Sequence, residues 1–251
     1  KIKATLAGIS HSGKTYTALE LAYGITQDWT KIVGIDIGER NGLSLYSDKG
    51  NFKVLKLPAP YTPEQLAEAV KYCESKGFQA IVIDSLTNMY SGEGGVLEIV
   101  DSMNAKEMPW KKVTPRLRKC MSTILTADVH IFCSFRQKSD KVMEEAENGK
   151  KAFVKKGMKD DFKPDSDYDF DLVLEMSRDH RAFAHKDRTR LLPDNQWFEI
   201  GEEQARMIAK WTNEGIDPNK EYIATIANHE IVKDAVATKD LCELATRNKS
   251  L

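Results

Sequence analysis

Short apolar runs alternate with amphipathic segments along most of the chain. Apolar runs that predict buried strands lie at residues 2–7, 32–37, 80–83 and 129–135. Between the first two runs, apolar residues recur at helical spacing from Ala18 to Ile25. This alternation of strands and helices predicts an α/β fold, in which helices cover both faces of a mostly parallel sheet.

The clearest helical signal begins at Thr62. Thr62 suits the N-cap, Pro63 suits the first helical position, and Gln65 can complete a capping box. Apolar residues then follow at the spacing of one helix face: Leu66, Ala69, Val70 and Cys73. Gly77 predicts the end of this helix.

The remaining elements have weaker signals. We predict a strand at 52–57, a long loop after residue 83, and a helix from about Pro115 to Leu125. Late strands joined by turns are predicted at 172–176, 181–184 and 197–200, before a helix at 202–211. Residues 136–168 are polar and weakly periodic, which predicts a long loop. The chain is therefore expected to form a core at 1–215 and a helical C-terminal extension at 216–251.

Composition excludes several classes of protein. The 251 residues include 37 Lys and Arg against 38 Asp and Glu, so bulk charge does not favour nucleic acid. The four cysteines lie far apart and form no CxxC pair, which argues against a disulfide framework or a structural zinc site. No apolar run approaches the roughly 18 residues that span a membrane. We therefore expect a cytoplasmic protein with no membrane partner.

A glycine-bounded loop follows the first predicted strand. Its sequence, GISHSGKT at 8–15, matches the phosphate-loop pattern GxxxxGK[ST] in full. Gly8 and Gly13 allow the backbone N–H groups to point at phosphate oxygens, and the following helix adds partial positive charge. Lys14 would neutralise the β- and γ-phosphates, and the Thr15 hydroxyl would coordinate Mg²⁺. We predict ATP and Mg²⁺ as cofactors, with these binding residues: Gly8, Ser10, His11, Ser12, Gly13, Lys14, Thr15 and Tyr16.

A second metal-side group is expected after the strand at 80–83. Asp84 ends this apolar run, and a parallel strand would place its carboxylate beside the phosphate loop. Ser85 follows, where many P-loop ATPases have the glutamate that activates water. The strand at 32–37 offers another base: Glu39 is the first candidate and Asp36 is the second.

Taken together, these segments resemble the RecA-like ATPases, and among them the phage-encoded proteins of the Sak single-strand annealing type. The resembling segments are GISHSGKT at 8–15, VGIDIGER at 33–40, AIVIDSLT at 80–87, HIFCSFRQ at 130–137 and HKDRT at 185–189. The resemblance implies a RecA-like P-loop NTPase core, with a twisted, mostly parallel sheet, helices on both faces and late antiparallel strands.

The same resemblance implies roles for individual residues. Glu39 corresponds to the catalytic glutamate, and Arg136 or Gln137 to the sensor of the γ-phosphate. Lys186 and Arg188 lie where RecA-like subunits project cations into the nucleotide of a neighbour and stabilise the transition state. The catalytic set is then Lys14, Glu39, Asp84, Lys186 and Arg188, in a homo-oligomer that is a ring or a filament. A phage origin would place the protein in the host cytoplasm.

The predicted loop at 136–163 is rich in lysine, with nine basic and six acidic residues. Lysines neutralise backbone phosphates, and an aromatic ring can stack on a base. In RecA-like proteins the loop after this strand binds single-stranded DNA, and the loop between Asn88 and Lys112 resembles the other DNA-facing loop. Trp110, just before a helix, is expected to pack rather than to stack on a base. The predicted DNA-binding residues are Lys150, Lys151, Phe153, Lys155, Lys156 and Lys159.

We expect a DNA-stimulated ATPase of recombination or strand annealing, with single-stranded DNA and a single-strand-binding protein as partners. Two other functions stay open. A phosphotransferase such as a nucleotide kinase would need an acceptor pocket and an arginine-rich lid, but the segment at 136–163 has one arginine. A nucleotide-gated interaction or motor protein would not bind DNA at all.

Overall fold

The computed structural model describes residues 1–38, 42–145, 151–160 and 170–214, with the backbone alone at 138–145 and 151–160. The chain divides into two compact units, Lys1–Thr212 and Asn213–Leu251. The fold given below is that of the first unit, because the predicted extension at 216–251 lies outside the described residues. None of the described helices is long and apolar enough to cross a membrane.

Nine strands of the described residues form a single sheet. They are β1 (Lys3–Gly8), β2 (Ile32–Ile37), β3 (Lys53–Leu57), β4 (Ala80–Asp84), β5 (His130–Glu145), β6 (Lys151–Asp160), β7 (Leu172–Met176), β8 (Arg181–Asp187) and β9 (Trp197–Glu199). Their order is β3-β2-β4-β5-β1-β7-β8-β9, and β6 pairs with β5. The strands from β3 to β7 in this order run parallel, whereas β8, β9 and β6 pair antiparallel with their neighbours.

Six α-helices of the described residues accompany these strands: α1 (Lys14–Thr26), α2 (Pro63–Ser75), α3 (Leu86–Ser91), α4 (Val96–Asp101), α5 (Pro109–Thr126) and α6 (Glu202–Glu214). One face of the sheet packs against apolar residues of α2 to α5, such as Leu66 and Leu117. The other face packs against α1 and α6 through residues such as Leu19 and Ile208. The predicted α/β class is therefore confirmed, including the helices on both faces and the late antiparallel strands.

The parallel strands bring their C-terminal residues to one edge of the sheet, which we call the carboxyl edge. Gly8 of β1 pairs with Arg136 of β5, and Asp36 of β2 pairs with Asp84 of β4. β5 lies between β1 and β4, so the loop after β1 and the end of β4 are separated by one strand. The opposite edge, at Lys3 and Leu172, is called the amino edge.

The predicted cap of α2 is confirmed on one side only. The Thr62 hydroxyl accepts a hydrogen bond from the backbone N–H of Gln65 at 3.2 Å, as an N-cap should. The reciprocal bond of a capping box is absent, because the side-chain oxygen Oε1 of Gln65 is buried and has no partner in the described residues. Gly77, with φ of 79°, follows the end of the helix as expected.

The long loop predicted after residue 83 is wrong. Two short helices, α3 and α4, occupy it, and α5 begins at Pro109 instead of near Pro115. Leu86, Met89 and Val96 are fully buried there. A helix of six residues has too few turns to show a helical period, so the apolar pattern could not predict that these residues are buried.

The long loop predicted at 136–168 is also wrong over much of its length. β5 continues to Glu145 and pairs antiparallel with β6, with a register shift between Asp140 and Lys141. Lysine-rich strands at an edge carry little apolar alternation, and charged residues there prevent further strand pairing. In this hairpin Val142 lies opposite Val154 and Met143 opposite Phe153.

Candidate nucleotide-binding site

The phosphate loop joins β1 to α1 at the carboxyl edge. A Cβ at Gly8 would lie 2.6 Å from the carbonyl oxygen of Met176 and 2.7 Å from the Ser12 hydroxyl. Gly13, the N-cap of α1, has φ of 85°, a left-handed conformation that favours glycine. Both glycines of the motif are thus required by the backbone, which forms a cradle at the N-terminus of a helix.

Lys14 is 9% exposed and lies inside this loop. Its ammonium group donates to the Ile9 carbonyl oxygen at 2.6 Å and to the Ser12 hydroxyl at 3.4 Å. The pKa of Lys14 is lowered to about 8. Burial is the largest cause; the charge of Asp84 acts in the opposite direction, and the charge of Arg136 adds to the lowering. Burying this cation is costly, and the two oxygens that it contacts are uncharged. An anionic phosphate oxygen would therefore be a better partner for it.

Asp84 brings the predicted metal-side groups together. Its Oδ2 accepts a hydrogen bond from the Thr15 hydroxyl at 2.7 Å. Its Oδ1 accepts one from the Ser134 hydroxyl of β5 at 2.5 Å. Carboxylate and hydroxyl oxygens are the ligands that Mg²⁺ prefers, usually as one or two protein groups alongside substrate phosphates. Thr15 and Asp84 give one hydroxyl and one carboxylate at this place, a donor set that fits a magnesium nucleotide.

Asp36 lies beside Asp84 but is engaged with the backbone. It is 3% exposed, and its Oδ2 accepts a hydrogen bond from the N–H of Leu43 at 3.3 Å. Burial raises the pKa of Asp36, the backbone bond to Leu43 lowers it, and the charge of Asp84 raises it again. Asp36 thus fixes the backbone N–H of Leu43. Glu39, the first candidate base, lies outside the described residues.

A cleft of about 420 Å³ opens in front of Asp84. Its lining includes Asp36, Asp84, Ser85, Asn88, Glu93 and Arg136. The Ser85 hydroxyl oxygen is buried there and has no hydrogen-bond partner in the described part of the chain. A buried polar atom without a partner is costly, so this oxygen suits contact with a water molecule or a polar ligand in the cleft.

Arg136 lies where β5 passes the carboxyl edge. Its backbone N–H donates to the Thr87 hydroxyl at 2.8 Å, and its exposed side chain lines the cleft. Of the two sensor candidates, Arg136 therefore shares a cleft with Asp84. Gln137 follows at the start of the hairpin, where it pairs with Asp160.

The remaining predicted binding residues surround the loop. Ser10 and His11 are exposed and lie 3.1 Å apart, measured from the Ser10 Oγ to the His11 Nδ1. Tyr16 is half exposed, in edge contact with the Tyr46 ring, and the Lys49 ammonium lies 3.7 Å from its ring centre. Tyr16 thus presents an aromatic surface next to Thr15.

Lys186 and Arg188 lie far from the phosphate loop of their own chain. Lys186 pairs with Val173, three residues before Met176, or about 10 Å along the strand. Arg188 lies at the amino edge, where its N–H donates to the Asp171 carbonyl oxygen at 3.0 Å and its guanidinium contacts the Asp171 carboxylate at 3.3 Å. The sheet therefore does not bring these cations together with Lys14 and Asp84.

The predicted DNA-binding residues lie on β6, except Lys150, which is outside the described residues. The strand carries Lys151, Phe153, Lys155, Lys156 and Lys159. The second predicted DNA-facing loop is helical instead. Trp110, which was expected to pack, is 43% exposed at the start of α5, so this expectation is wrong.

Two further residues beside the loop were not predicted. Asn88 donates from its side-chain nitrogen to the carbonyl oxygen of Ile37, across 51 positions of sequence. A Cβ on Gly13 would lie 3.0 Å from the Nδ1 of His180, which is in the turn between β7 and β8. Because Asn88 follows Asp84 by four residues, the sequence could have suggested that it lies near the site. Nothing in the sequence marks His180.

The sequence profile of the AAA domain, AAA_24, matches residues 1–199. This range includes the phosphate loop, Asp84 and the strand that carries Lys186. The chain belongs to this AAA-domain family of P-loop ATPases. The AAA domain thus includes every strand from β1 to β9. No curated protein matches the chain.

A solved structure is also similar to this AAA domain. It is a KaiC-like protein from the hyperthermophilic archaeon Pyrococcus horikoshii, with 14% sequence identity and a TM-score of 0.44. The similarity covers 80% of this chain and 86% of that chain.

Proposed function

We propose that this AAA-domain protein hydrolyses ATP between copies of itself and couples the nucleotide to binding of single-stranded DNA. Its expected role is recombination or strand annealing of the phage Sak type, which the sequence resembles. The observation that supports this most is the hydrogen bond between Thr15 and Asp84. This bond joins the phosphate loop that follows β1 to the carboxylate at the end of β4, and a magnesium nucleotide requires both motifs.

The residues of the loop would divide the work of binding. Backbone N–H groups at Gly13 and Lys14 point from a helix N-terminus toward bound phosphates, and the Lys14 ammonium neutralises their charge. Thr15 and Asp84 would hold Mg²⁺, which supplies charge neutralisation at the β- and γ-phosphates. Tyr16 offers an aromatic surface on which the base could lie.

Glu39 is our proposed base for the attacking water. Asp36, the alternative, is buried and already accepts a hydrogen bond from the Leu43 N–H, which suits it to a structural role. The Ser85 hydroxyl has no partner among the described residues and lines the cleft, so it can orient the water by a hydrogen bond. The water would then lie between the base and the terminal phosphate.

Lys186 and Arg188 are proposed to act on the nucleotide of a neighbouring copy. They are displaced toward the amino edge, whereas the phosphate loop lies at the carboxyl edge. An intermolecular contact is the arrangement in which both groups meet one nucleotide. Cations supplied in this way stabilise the negative charge of the transition state.

The hairpin of β5 and β6 is the proposed DNA-binding element. β5 runs without a break from Ser134, which donates to Asp84, to the lysine-bearing hairpin. A DNA strand on the hairpin would therefore contact a strand that also passes through the nucleotide site. Lysines on the hairpin would neutralise phosphates, and Phe153 could stack on a base.

The experiment is ATP turnover with and without single-stranded DNA, with the oligomer size recorded in both. We expect Mg²⁺-dependent turnover that DNA increases, and loss of turnover in Lys14→Ala. Replacing Lys151, Lys155, Lys156 and Lys159 by Ala should weaken DNA binding and lower the salt slope by up to about 3, since each lost phosphate contact contributes about 0.7. The matched control replaces four exposed lysines elsewhere, Lys53, Lys71, Lys76 and Lys106, by Ala.

Three results would contradict the proposal. Transfer of labelled phosphate from ATP to a nucleoside would support a nucleotide kinase instead. Turnover that DNA does not change would support a nucleotide-gated interaction protein. Equal effects of the two sets of lysine substitutions would exclude the hairpin as the DNA site.

A further inference from the structure

The phosphate loop is flanked by two strands that bring different groups to it. Gly8, at the end of β1, pairs with Arg136 of β5 on one side and with Met176 of β7 on the other. Asp84 and its partner Ser134 lie on the β5 side, since β5 separates β1 from β4. The turn that follows Met176 therefore flanks the loop on the side opposite to the metal-side groups.

Four residues, from Ser177 to His180, form the tight turn between β7 and β8. The Ser177 N–H donates to the Arg181 carbonyl oxygen at 2.8 Å, and the His180 N–H donates to the Ser177 carbonyl oxygen at 3.1 Å. The Ser177 hydroxyl lies 3.0 Å from the carbonyl oxygen of Arg181 and 3.0 Å from its amide nitrogen. These bonds close the turn, so its backbone holds His180 in a defined place.

The His180 side chain packs against the phosphate loop. A Cβ on Gly13 would lie 3.0 Å from the His180 Nδ1, 3.7 Å from its Cγ and 3.9 Å from its Cβ. The ring thus occupies the space that a side chain at Gly13 would need. His180 itself has φ of 63°, a left-handed conformation that is uncommon outside glycine and that sets the direction in which the ring leaves the turn.

The His180 ring is also available to a ligand. The residue is exposed, and among the described residues no hydrogen bond uses its ring nitrogens. An imidazole carries at least one N–H donor, and a hydrogen bond to an anionic phosphate oxygen is stronger than one to a neutral oxygen. A phosphate held by the N–H groups of Gly13 and Lys14 would therefore lie beside a ring that can donate to it.

We propose that His180 is a further nucleotide-binding residue, which donates a hydrogen bond to the α- or β-phosphate of the bound nucleotide. In a phosphate loop the backbone N–H groups hold these two phosphates, whereas the lysine extends toward the β- and γ-phosphates. Because His180 packs on Gly13, its contact belongs to the phosphates that ATP and ADP share. This inference rests on the nucleotide binding of the proposed function and not on its DNA binding.

Isothermal titration of three variants with ATP and ADP tests the contact. His180→Gly removes the ring and suits the left-handed backbone, and the Kd for both nucleotides should rise about tenfold. His180→Asn keeps an N–H donor close to the place of Nδ1, so its Kd should stay within about threefold of the parental value. His180→Asp has nearly the shape of His180→Asn, without the donor and with a negative charge, so it should bind more weakly than His180→Gly.

The matched pair of Asn and Asp separates a phosphate contact from packing on Gly13. Packing alone predicts equal Kd values for His180→Asn and His180→Asp, and that result would overturn the inference, as would a parental Kd in His180→Gly. The controls are Asn195→Gly and Asn195→Asp, because Asn195 is also exposed and left-handed, with φ of 54°, in the turn between β8 and β9. Both should bind ATP as the parental protein does.

Magnesium and pyrophosphate locate the contact on the nucleotide. The loss in His180→Gly should be the same in Mg²⁺ and in EDTA, since Asp84 lies on the other side of the loop. Inorganic pyrophosphate, measured by displacement of a fluorescent ATP analogue, should lose affinity by the same factor, because it has neither ribose nor base. A loss that needs Mg²⁺, or one confined to the adenine nucleotides, would overturn the assignment to the α- or β-phosphate.

These measurements use binding alone and need neither turnover nor DNA. If the parental protein binds ATP but neither hydrolyses it nor binds DNA, the proposed function fails, and the variants still decide the role of His180. A parental protein that binds neither nucleotide nor pyrophosphate would overturn the inference about His180.

Discussion

Asp84 ties three strands together at a single carboxylate. One oxygen accepts the hydroxyl of Thr15, which follows β1, and the other accepts the hydroxyl of Ser134 on β5. The ends of β1, β4 and β5 are therefore joined through side chains as well as through the sheet. Lys14 lies next to this junction, where burial and Arg136 oppose its charge.

The lowered pKa of Lys14 predicts that ATP binding weakens above pH 8. A lysine with a pKa of about 8 is about 90% protonated at pH 7 and about 10% at pH 9. Because the protonated form holds the phosphates, the Kd for ATP should rise by up to about tenfold per pH unit above 8. Fluorescence titration with a labelled ATP analogue from pH 7 to 9.5 measures this.

Lys14→Arg is the control for this pH dependence. A guanidinium stays protonated over the whole range, so this variant should bind more weakly at pH 7 but with a flat pH profile. A parental Kd that changes less than about twofold from pH 7 to 9.5 would contradict the assignment of the titration to Lys14.

Residues of the site differ in how far the sequence alone could predict them. Gly8, Gly13, Lys14 and Thr15 are adjacent in sequence, and their spacing follows from how a backbone must curl around phosphates. Asn88 and Ile37, in contrast, meet only because β2 and β4 pair, and 51 positions separate them. The Ser85 hydroxyl likewise lacks a partner among the described residues because of tertiary packing, which the neighbouring sequence cannot predict.

At the scale of elements, the clarity of the apolar pattern decided which predictions were confirmed. The strands at 32–37 and 172–176 have the predicted bounds because both lie inside the sheet and consist mainly of apolar residues. α3 and α4 have six residues each, less than two helical turns, and were missed. The hairpin was missed because its lysines conceal the alternation that marks a strand.

The cap of α2 gives a stability prediction for an element. Thr62→Ala should lower the free energy of unfolding by about 1 kcal/mol, because the Gln65 N–H loses its acceptor. Gln65→Met should leave it unchanged or raise it, since the buried Oε1 that it removes has no partner among the described residues. Urea unfolding followed by circular dichroism measures both. Thr62→Ser keeps the oxygen and should behave as the parental protein, and a loss in Gln65→Met as large as that in Thr62→Ala would contradict this account.

At the scale of the whole molecule, the sheet separates the two groups of charges that hydrolysis is proposed to use. Lys14, Thr15 and Asp84 lie at the carboxyl edge, whereas Arg188 lies at the amino edge beside Asp171. The resemblance predicted an intermolecular role for Arg188. The distance from Arg188 to the phosphate loop of its own chain, however, follows only from the strand pairing. That distance, about 17 Å for the five residues from Asp171 to Met176, makes the intermolecular role testable.

Mixing two inactive variants tests whether Arg188 acts between copies. Arg188→Ala keeps an intact phosphate loop, and Lys14→Ala keeps an intact Arg188, so each should have little turnover alone. In an equal mixture about a quarter of the interfaces would pair an intact loop with an intact Arg188, and turnover should recover to about a quarter of the parental rate. The control is Arg181→Ala, which removes an exposed arginine at the other end of β8 and should retain turnover. A mixture no more active than the sum of its parts, although both variants assemble to the parental size, would mean that Arg188 serves no neighbouring nucleotide.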